Sequence, residues 1–445
     1  MKPCFFLKSG THLYVLYDKY GFSVSSLYAL GFTSGAITSI FTGAIVDRIG
    51  RKKAVLVYCS LEILINYFEQ YPILTCLVVF RIIGGITTNL LFTVFEAWLV
   101  TEHHERKFED AKLEIILRDS NIVSNLAAII SGYIAHCLAS TLGPVGPFVG
   151  AVGFTFLALF IVALTWCENY GTTKSVRILL CVAISVSKSF FKVQNDVFSQ
   201  INTDRTYLFI TTESASKAIL NDSNISCTGL IHSLTEGSLQ TFIFLWSPML
   251  RSLSSTSSRE VPGLDENGEP AYGLIFGSFM LFGVLGGCIE PSLVKAVGKI
   301  RSFCFPNVSN YCTELDGPGK RNALYILSAG CYLLSSILFL VPCLVNKQSP
   351  YAFITVLTSF LLFELLVGTF ISSQCIIRSI HIPNESKCSI LTMLRVVTNI
   401  TVAFGVILSD HIQIMHCFGA LSLMMVIASI LQLSFVNQKR IVKGD

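Results

Sequence analysis

Long apolar runs recur along almost the whole chain, and they limit its fold more than any other feature of the sequence. A helix needs roughly 20 mostly apolar residues to cross the hydrocarbon layer of a bilayer. A membrane β-barrel would instead alternate apolar and polar residues, which these continuous runs do not do. We therefore predict an all-α bundle of about eleven membrane-spanning helices. Their expected positions are residues 24–46, 54–71, 73–100, 113–139, 145–166, 227–250, 272–297, 322–344, 351–376, 388–409 and 414–436.

The composition is typical of a membrane protein. Of its 445 residues, 52% are hydrophobic and 13% are charged, whereas a soluble domain has about 25% charged residues. The formal net charge of +4 is too small to indicate binding to nucleic acid. We expect the lipid bilayer, and no nucleic acid, among the partners of this protein.

Basic residues alternate between successive predicted loops. The segments at 46–53 and 101–118 are rich in Lys and Arg, whereas those at 71–73 and 140–144 contain neither. Because basic loops of membrane proteins face the cytosol, these two segments and the tail at 438–445 are predicted to be cytosolic. We expect a multi-pass protein of the cell membrane with a cytosolic C-terminus.

The longest polar segment divides the predicted spans into two groups. We predict an N-terminal half at 1–166, a cytosolic connection at 167–226 and a C-terminal half of about six spans at 227–437, followed by the tail at 438–445. The connection contains an apolar run at 176–188 that is short and basic at both ends. We expect that run to lie on the membrane surface.

The N-terminal half is predicted to lack most of its first span. An odd number of spans places Lys2, Lys8 and Lys19 on the outer side, against the positive-inside rule. Residues 5–10 also have the pattern expected at the end of an apolar helix. We expect a longer natural form with about 30 more residues and one more span. A genuine variant with an odd number of spans is the alternative.

The first basic loop contains a compact motif, GAIVDRIGRKK at residues 43–53. Its glycines permit a tight reversal and a close approach of helices, and its aspartate can form a pair at a helix end. A loop that is merely basic is the alternative. The spacing resembles the signature loop of the major facilitator superfamily, which implies two six-span halves with a substrate site between them. The residues predicted to act in conformational change are Gly43, Asp47, Arg48, Gly50 and Arg51.

One predicted span, 73–100, carries polar residues on one face. Arg81, Asn89 and Glu96 fall within about 80° of one another around the helix axis. Polar groups inside a membrane are costly and usually face a cavity or a partner helix. We predict that these three residues line a transport path, and a structural pair with another helix is the alternative.

Polar residues in other spans extend this predicted path. Three of them recur at every fourth residue of span 227–250 and therefore share one face. Arg81 and Arg395 are the two arginines predicted to lie well inside spans, and a guanidinium suits an oxyanion. The carboxylates can act as counter-ions or as proton carriers, so coupling to protons is one interpretation; an interhelical hydrogen bond is the alternative for the histidine. The added candidates are Asn125, His232, Glu236, Gln240 and Arg395.

Several short motifs are distinctive enough to compare with known families. They are YVLYDKYGFS at 14–23, FEAW at 95–98, EHHER at 102–106, WCENY at 166–170, FLWSP at 244–248, GLIFGSFM at 273–280 and LRV at 394–396. Together they resemble the molybdate-anion transporter family of the major facilitator superfamily over residues 10–436. The connections at 167–226 and 298–321 look longer than is usual in that family.

The resemblance implies uptake of a small inorganic anion by alternating access, with molybdate as the expected substrate and without a cofactor. Two alternatives stay open: a member that binds solute and signals without transport, and a carrier of another small solute. The EHHER run does not predict a metal site, because adjacent histidines on a helix point apart. No recognised catalytic motif occurs, so we do not expect an enzyme.

Overall fold

The computed structural model describes residues 13, 16, 17, 19–170, 212–254, 262–264, 268–304, 318–383 and 387–436. Three predictions lie outside this part of the chain: those for residues 1–12, where the first span is expected to end, for the surface run at 176–188 and for the tail. The described residues form helices, and their only β-type contact is an isolated bridge between Leu264 and Pro270.

Helices follow one another along the chain, and most connections are short, apart from those at 166–222, 255–271 and 305–317. In order they are α1 (Val24–Ile49), α2 (Arg51–Phe68), α3 (Leu74–Glu105), α4 (Asp110–Leu142), α5 (Gly146–Thr165), α6 (Ser223–Ser254), α7 (Tyr272–Cys304), α8 (Pro318–Leu344), α9 (Ala352–His381), α10 (Lys387–His411) and α11 (Ile414–Leu433). Every predicted span overlaps one of these helices. The prediction of an all-α membrane bundle is therefore confirmed.

Eight stretches of the described residues are long and apolar enough to cross a membrane. One of them, Ile115–Thr165, contains most of α4 and all of α5, which are separated by the 3₁₀ turn Gly143–Val145. The two remaining helices, α2 and α6, coincide with predicted spans but are more polar: α2 begins with three basic residues, and α6 carries several Ser, Thr and Gln side chains. Each packs against neighbouring helices of the bundle, which cover the polar groups on its inner face, such as Glu62 of α2 and Thr235 of α6.

The bundle is apolar both inside and on its outer faces. In the interior of the C-terminal helices, the ring of Phe363 lies 4.9 Å from that of Phe242 and 4.4 Å from that of Phe339. On the outside, large residues such as Leu164 and Leu274 are about 70% exposed. A helix that is hydrophobic all round needs lipid on its outer face.

Helices α1 and α10 run antiparallel and touch along their whole length. At one end the hydroxyl of Ser25 donates a hydrogen bond to Asp410, and at the other Asp47 accepts from Ser389. Between these contacts, a Cβ added to Gly43 would collide with Ser389 and Thr392. The absence of a side chain at this glycine therefore allows the two backbones to lie close together. We call the end of the bundle that contains Asp47 and Ser389 the basic-loop end.

Several helices extend beyond the apolar runs that predicted them. The largest consequences are at α9, which continues to His381 instead of ending near 376, and at α6, which begins at Ser223 instead of 227. The last turn of α9 contains Arg378, whose side chain is buried. The predicted boundary was too early because it followed apolarity, while a helix can continue with polar residues on a face that points inwards.

Candidate functional site

A cavity of about 280 Å³ lies between the N-terminal helices α3 and α4 and the C-terminal helices α6, α7, α9 and α10. Phe276, Phe279 and Trp246 provide an apolar wall at one side. Its ionisable side chains from the described residues, the thiol of Cys375 aside, are those of Glu96, His232, Glu236, Glu364, Arg378 and Arg395. Because both groups of helices contribute, the cavity changes shape whenever these groups move relative to each other.

Arg378 joins the two groups of helices at the basic-loop end of the cavity. Its Nη2 lies 2.8 Å from the Glu96 carboxylate of α3, and its Nη1 lies 3.0 Å from Nδ1 of His232 on α6. A guanidinium can only donate, so Nδ1 of His232 accepts and the imidazole carries its proton on Nε2. His232 is therefore neutral in this arrangement.

Arg395 is buried in the cavity wall, with 2% of its surface exposed. Its guanidinium carbon lies 4.3 Å from the centre of the Phe92 ring on α3, a cation–π contact between the two groups of helices. Neither Nε nor Nη2 has a hydrogen-bond acceptor among the described residues. A buried cation that keeps free donors next to a cavity is suited to hold an anion that enters.

Three further predicted residues also lie on this wall. Nε2 of Gln240 donates a hydrogen bond of 3.0 Å to Glu236, one turn earlier on α6. Asn125 of α4 lies beside Gly283 of α7, where an added Cβ would come within 2.9 Å of the Asn125 amide nitrogen. With Glu96, His232 and Arg395, the cavity thus contains six of the eight residues predicted for the path. That they contact a solute remains a prediction.

Arg81 lines a second, smaller cavity of about 90 Å³ instead. Its guanidinium pairs with the buried carboxylate of Glu69 at the end of α2, and its Nε donates a hydrogen bond of 2.5 Å to the Tyr17 hydroxyl. Gln240 lines both cavities, which are therefore neighbours along α6. The geometry matches the alternative of a structural pair more closely than that of a path residue.

Asn89 is likewise not part of the described wall of the main cavity. Its amide donates to the Gly35 carbonyl at 2.8 Å and accepts from the Asn399 amide of α10 at 3.1 Å. It therefore connects α1, α3 and α10 near the middle of their contact. The polar face predicted for span 73–100 exists, but Arg81, Asn89 and Glu96 reach different surroundings along it.

The predicted conformational loop is a reversal at a single residue. Gly50 separates α1 from α2 and has a φ of +106°, which glycine adopts without steric cost. Asp47 is buried, and its Oδ2 accepts hydrogen bonds from the backbone N–H of Ser389 at 3.1 Å and from its hydroxyl at 2.8 Å. Its Oδ1 lies 3.2 Å from Nη2 of the buried Arg51. Arg48 is half-buried in the last turn of α1.

The WCENY motif holds this reversal in place. Glu168 accepts hydrogen bonds from the backbone N–H groups of Lys52 at 2.9 Å and of Lys53 at 3.3 Å. A carboxylate at this position accepts hydrogen bonds from backbone N–H groups that have no partner within α2. Its negative charge also interacts favourably with the positive end of the helix dipole. The carbonyl of Asn169 accepts from the N–H of Arg51 at 3.0 Å. The motif thus holds the first turn of α2, which carries Arg51, the partner of Asp47.

Sequence reasoning missed Arg378, which the structure places in the cavity wall between Glu96 and His232. A signal was present: Arg378 follows Glu364 by fourteen residues, or about four helical turns, so both lie on the same side of α9. Gly368 and Gln374, which also line the cavity, continue that side. Extending the helix by one turn beyond the apolar run would have found it.

Comparisons with known proteins identify relatives of this chain. A sequence model of a family described as sugar transporters with 12 TM matches residues 6–197 and 180–312. The molybdate-anion transporter of Xenopus tropicalis is 25% identical over 407 residues, which are 89% of this chain and 74% of that protein. The molybdate-anion transporter of Takifugu rubripes is 24% identical over 442 residues, which are 94% of this chain and 82% of that protein.

Solved structures show the same fold. A mutant of the nucleoside transporter NupG superimposes with a TM-score of 0.57 at 11% identity, covering 98% of this chain and 96% of that one. The human organic anion transporter MFSD10 superimposes with a TM-score of 0.55 at 12% identity, covering 94% of this chain and 87% of that one. The chain therefore belongs to the major facilitator superfamily, in the family that the 12-TM sequence model defines and with the molybdate-anion transporters among its relatives.

Proposed function

We propose that this protein carries a small anion across the cell membrane by alternating access, with molybdate as the first candidate and the cytosol as the destination. The observation that supports this best is Arg395, a buried guanidinium at the cavity whose Nε and Nη2 donors have no acceptor among the described residues. The protein is then a carrier and not an enzyme.

The donors around the cavity suit a tetrahedral oxyanion. Such an anion needs positive charge and several directed N–H or O–H groups. In addition to Arg395, the Nε of Arg378 and the hydroxyl of Ser124 lack hydrogen-bond partners among the described residues. The amide of Asn125 also lines the cavity, beside Gly283 and close to the level of Glu364. Because a guanidinium presents its donors as a rigid fork, one arginine can hold two oxygens of the same anion.

The relatives favour molybdate among small anions, since those in Xenopus and Takifugu are named molybdate-anion transporters. The family description names sugars instead. An uncharged sugar does not require the buried guanidinium of Arg395, whose Nε and Nη2 lack acceptors among the described residues, and burying a cation without an anion is costly. We therefore favour an anion as the substrate over another small solute.

Transport by purified protein in lipid vesicles tests the proposal. We expect uptake of molybdate that tungstate and sulfate inhibit and that a hexose does not. Arg395→Lys should raise the half-saturating concentration by about tenfold or more, because an ammonium keeps the charge but loses the planar fork. Arg118→Lys is the matched control, since Arg118 pairs with its neighbour Asp119 at 2.8 Å on α4 and is not among the described cavity residues.

Each other result points to a different function. Molybdate binding without flux in the wild type would support a solute-binding or signalling member. Inhibition by hexose alone would support a sugar carrier. An equal loss of molybdate uptake in Arg395→Lys and Arg118→Lys would show that the guanidinium of Arg395 has no particular part in anion recognition.

A further inference from the structure

We propose that Glu364 binds a proton and that this proton crosses the membrane together with the anion. The inference rests on the anion transport proposed above and adds a second transported ion, H⁺, with a site of its own. The protein would then be a proton–anion symporter.

The described wall of the cavity carries more acidic than basic groups. Three carboxylates, of Glu96, Glu236 and Glu364, face two guanidinium groups, of Arg378 and Arg395, which leaves a formal charge of −1 with His232 neutral. A dianion such as molybdate would change this to −3. Charges of one sign repel strongly where the dielectric constant is low. A bound proton is the smallest cation that reduces this repulsion.

Glu364 differs from the other two carboxylates in its surroundings. Glu96 pairs with Arg378 at 2.8 Å, and Glu236 accepts from Gln240 at 3.0 Å. Glu364 lines the cavity with 5% of its surface exposed, and its carboxylate has no hydrogen bond or ion pair with any described residue. A buried carboxylate without a cation is costly and is relieved by binding a proton.

The position of Glu364 separates the proton site from the anion site. Arg378 lies fourteen residues further along α9, which corresponds to roughly 21 Å along the helix axis. Besides Glu364, the described wall of the cavity carries the following charged or titratable groups: Glu96 on α3, His232 and Glu236 on α6, Cys375 and Arg378 on α9, and Arg395 on α10. The described walls of α4 and α7 contribute none. An anion on the two arginines and a proton on Glu364 can therefore be present together.

The transported charges balance in a simple cycle. From the side to which the cavity opens, an H⁺ forms one O–H bond with Glu364 and the anion accepts hydrogen bonds from Arg395. After the helices move, the O–H bond breaks towards water on the opposite side and the anion leaves. With a dianion, each cycle moves a net charge of −1 instead of −2, and nothing is oxidised or reduced.

Vesicles with purified protein distinguish this proposal from the underlying transport. Exchange of labelled molybdate at equal pH on both sides reports anion movement alone. Net accumulation with the membrane potential clamped at zero reports coupling, because one proton per anion makes one pH unit equal to about tenfold accumulation. A pH-sensitive dye inside the vesicles follows proton entry. The variants are Glu364→Gln, Glu364→Asp and, as control, Glu105→Gln at the exposed end of α3.

We expect about tenfold accumulation per pH unit in the wild type, in Glu364→Asp and in Glu105→Gln. In Glu364→Gln the ratio should fall towards one while exchange remains measurable. Accumulation in Glu364→Gln equal to that of the wild type overturns the inference, as does molybdate exchange by the wild type without proton entry. If Glu364→Gln loses molybdate exchange as well, Glu364→Asp decides the question. Accumulation that still follows the pH gradient in Glu364→Asp supports the inference, and exchange by Glu364→Asp without such accumulation overturns it. No exchange by the wild type overturns the proposed function itself.

Discussion

Replacing Asp47 with Asn should move the bundle out of the conformation described here without removing anion binding. Oδ2 of Asp47 accepts two hydrogen bonds from Ser389, and these bonds connect α1 to α10. Its contact with Arg51 stays within the N-terminal helices and is independent of their position against α10. An asparagine keeps one acceptor oxygen but replaces the other by a donor. It therefore cannot serve Ser389 and Arg51 equally well.

The size of the effect follows from the Ser389 contacts. A hydrogen bond to a charged group contributes about 1.5–3 kcal/mol. If the amide turns its oxygen to Arg51, both bonds to Ser389 are lost; if it turns its oxygen to Ser389, they remain but without the charge. A net loss of about 1.5–3 kcal/mol in this conformation changes its equilibrium with the alternative by roughly 10- to 150-fold. Binding changes less, because Asp47 is not among the described residues of the cavity.

Distances between labels at the basic-loop end measure this equilibrium. Lys53 on α2 and Asn221 just before α6 are both exposed, and they belong to the N-terminal and C-terminal groups of helices respectively. Spin labels attached through unnatural amino acids at these positions should show a new, longer distance in Asp47→Asn. Calorimetry should show molybdate affinity within about threefold of the wild type, which corresponds to less than 1 kcal/mol.

The control is Asp119→Asn on α4, where the aspartate is 52% exposed and pairs only with its neighbour Arg118 among the described residues. That variant should behave as the wild type in every measurement. The reasoning fails if Asp47→Asn keeps the wild-type distance distribution and flux at normal expression. It also fails if molybdate binding is lost together with flux, since Asp47 would then act on the site.

Further predictions concern the other buried charges and the orientation. Arg81→Ala leaves the Glu69 carboxylate buried without its cation, so the free energy of unfolding should fall by about 3–5 kcal/mol; an unchanged melting temperature in detergent would contradict this. A double-mutant cycle of Glu96→Gln and Arg378→Gln, followed with the same spin labels, should give a coupling energy of about 0.5–3 kcal/mol, whereas additive effects would show that the pair does not connect the helices. A cysteine at Lys53 should react only with a reagent applied from the cytosol, and reaction from outside would reverse the predicted orientation.

The helices were predictable because the property that defines a span is local. Apolar runs of sufficient length indicate α3 or α9 without knowledge of any neighbour. Their ends were less certain, since a polar last turn such as that around Arg378 looks like a loop when only apolarity is considered. The side chain is compatible with the helix because it points into a cavity that only the folded bundle creates.

Partners of buried charges could not be read from the sequence, since they come from distant positions. The face of α3 correctly groups Arg81 with Asn89 and Glu96, but the direction in which each points depends on the packing of α2, α9 and α10. Glu69 follows the last turn of α2 and gives no local sign that it will meet Arg81. Likewise, nothing near Asn89 indicates Asn399, 310 residues away.

The contact between α1 and α10 limits how the two groups of helices can separate. Hydrogen bonds join the two helices at both ends, Asp47 with Ser389 at the basic-loop end and Ser25 with Asp410 at the far end, while in the middle Asn399 of α10 bonds to Asn89 of α3. In the middle, a Cβ on Gly35 would lie 3.0 Å from the Asn399 amide, so the backbones are already in close approach there. A rotation about that level would separate one end while keeping the other, and opening of the basic-loop end would break the bonds to Ser389 and the Glu96–Arg378 pair. Because few hydrogen bonds between described residues of α1 and α10 hold each end, we expect the charge at Asp47 to bias the equilibrium between the two arrangements of the helices.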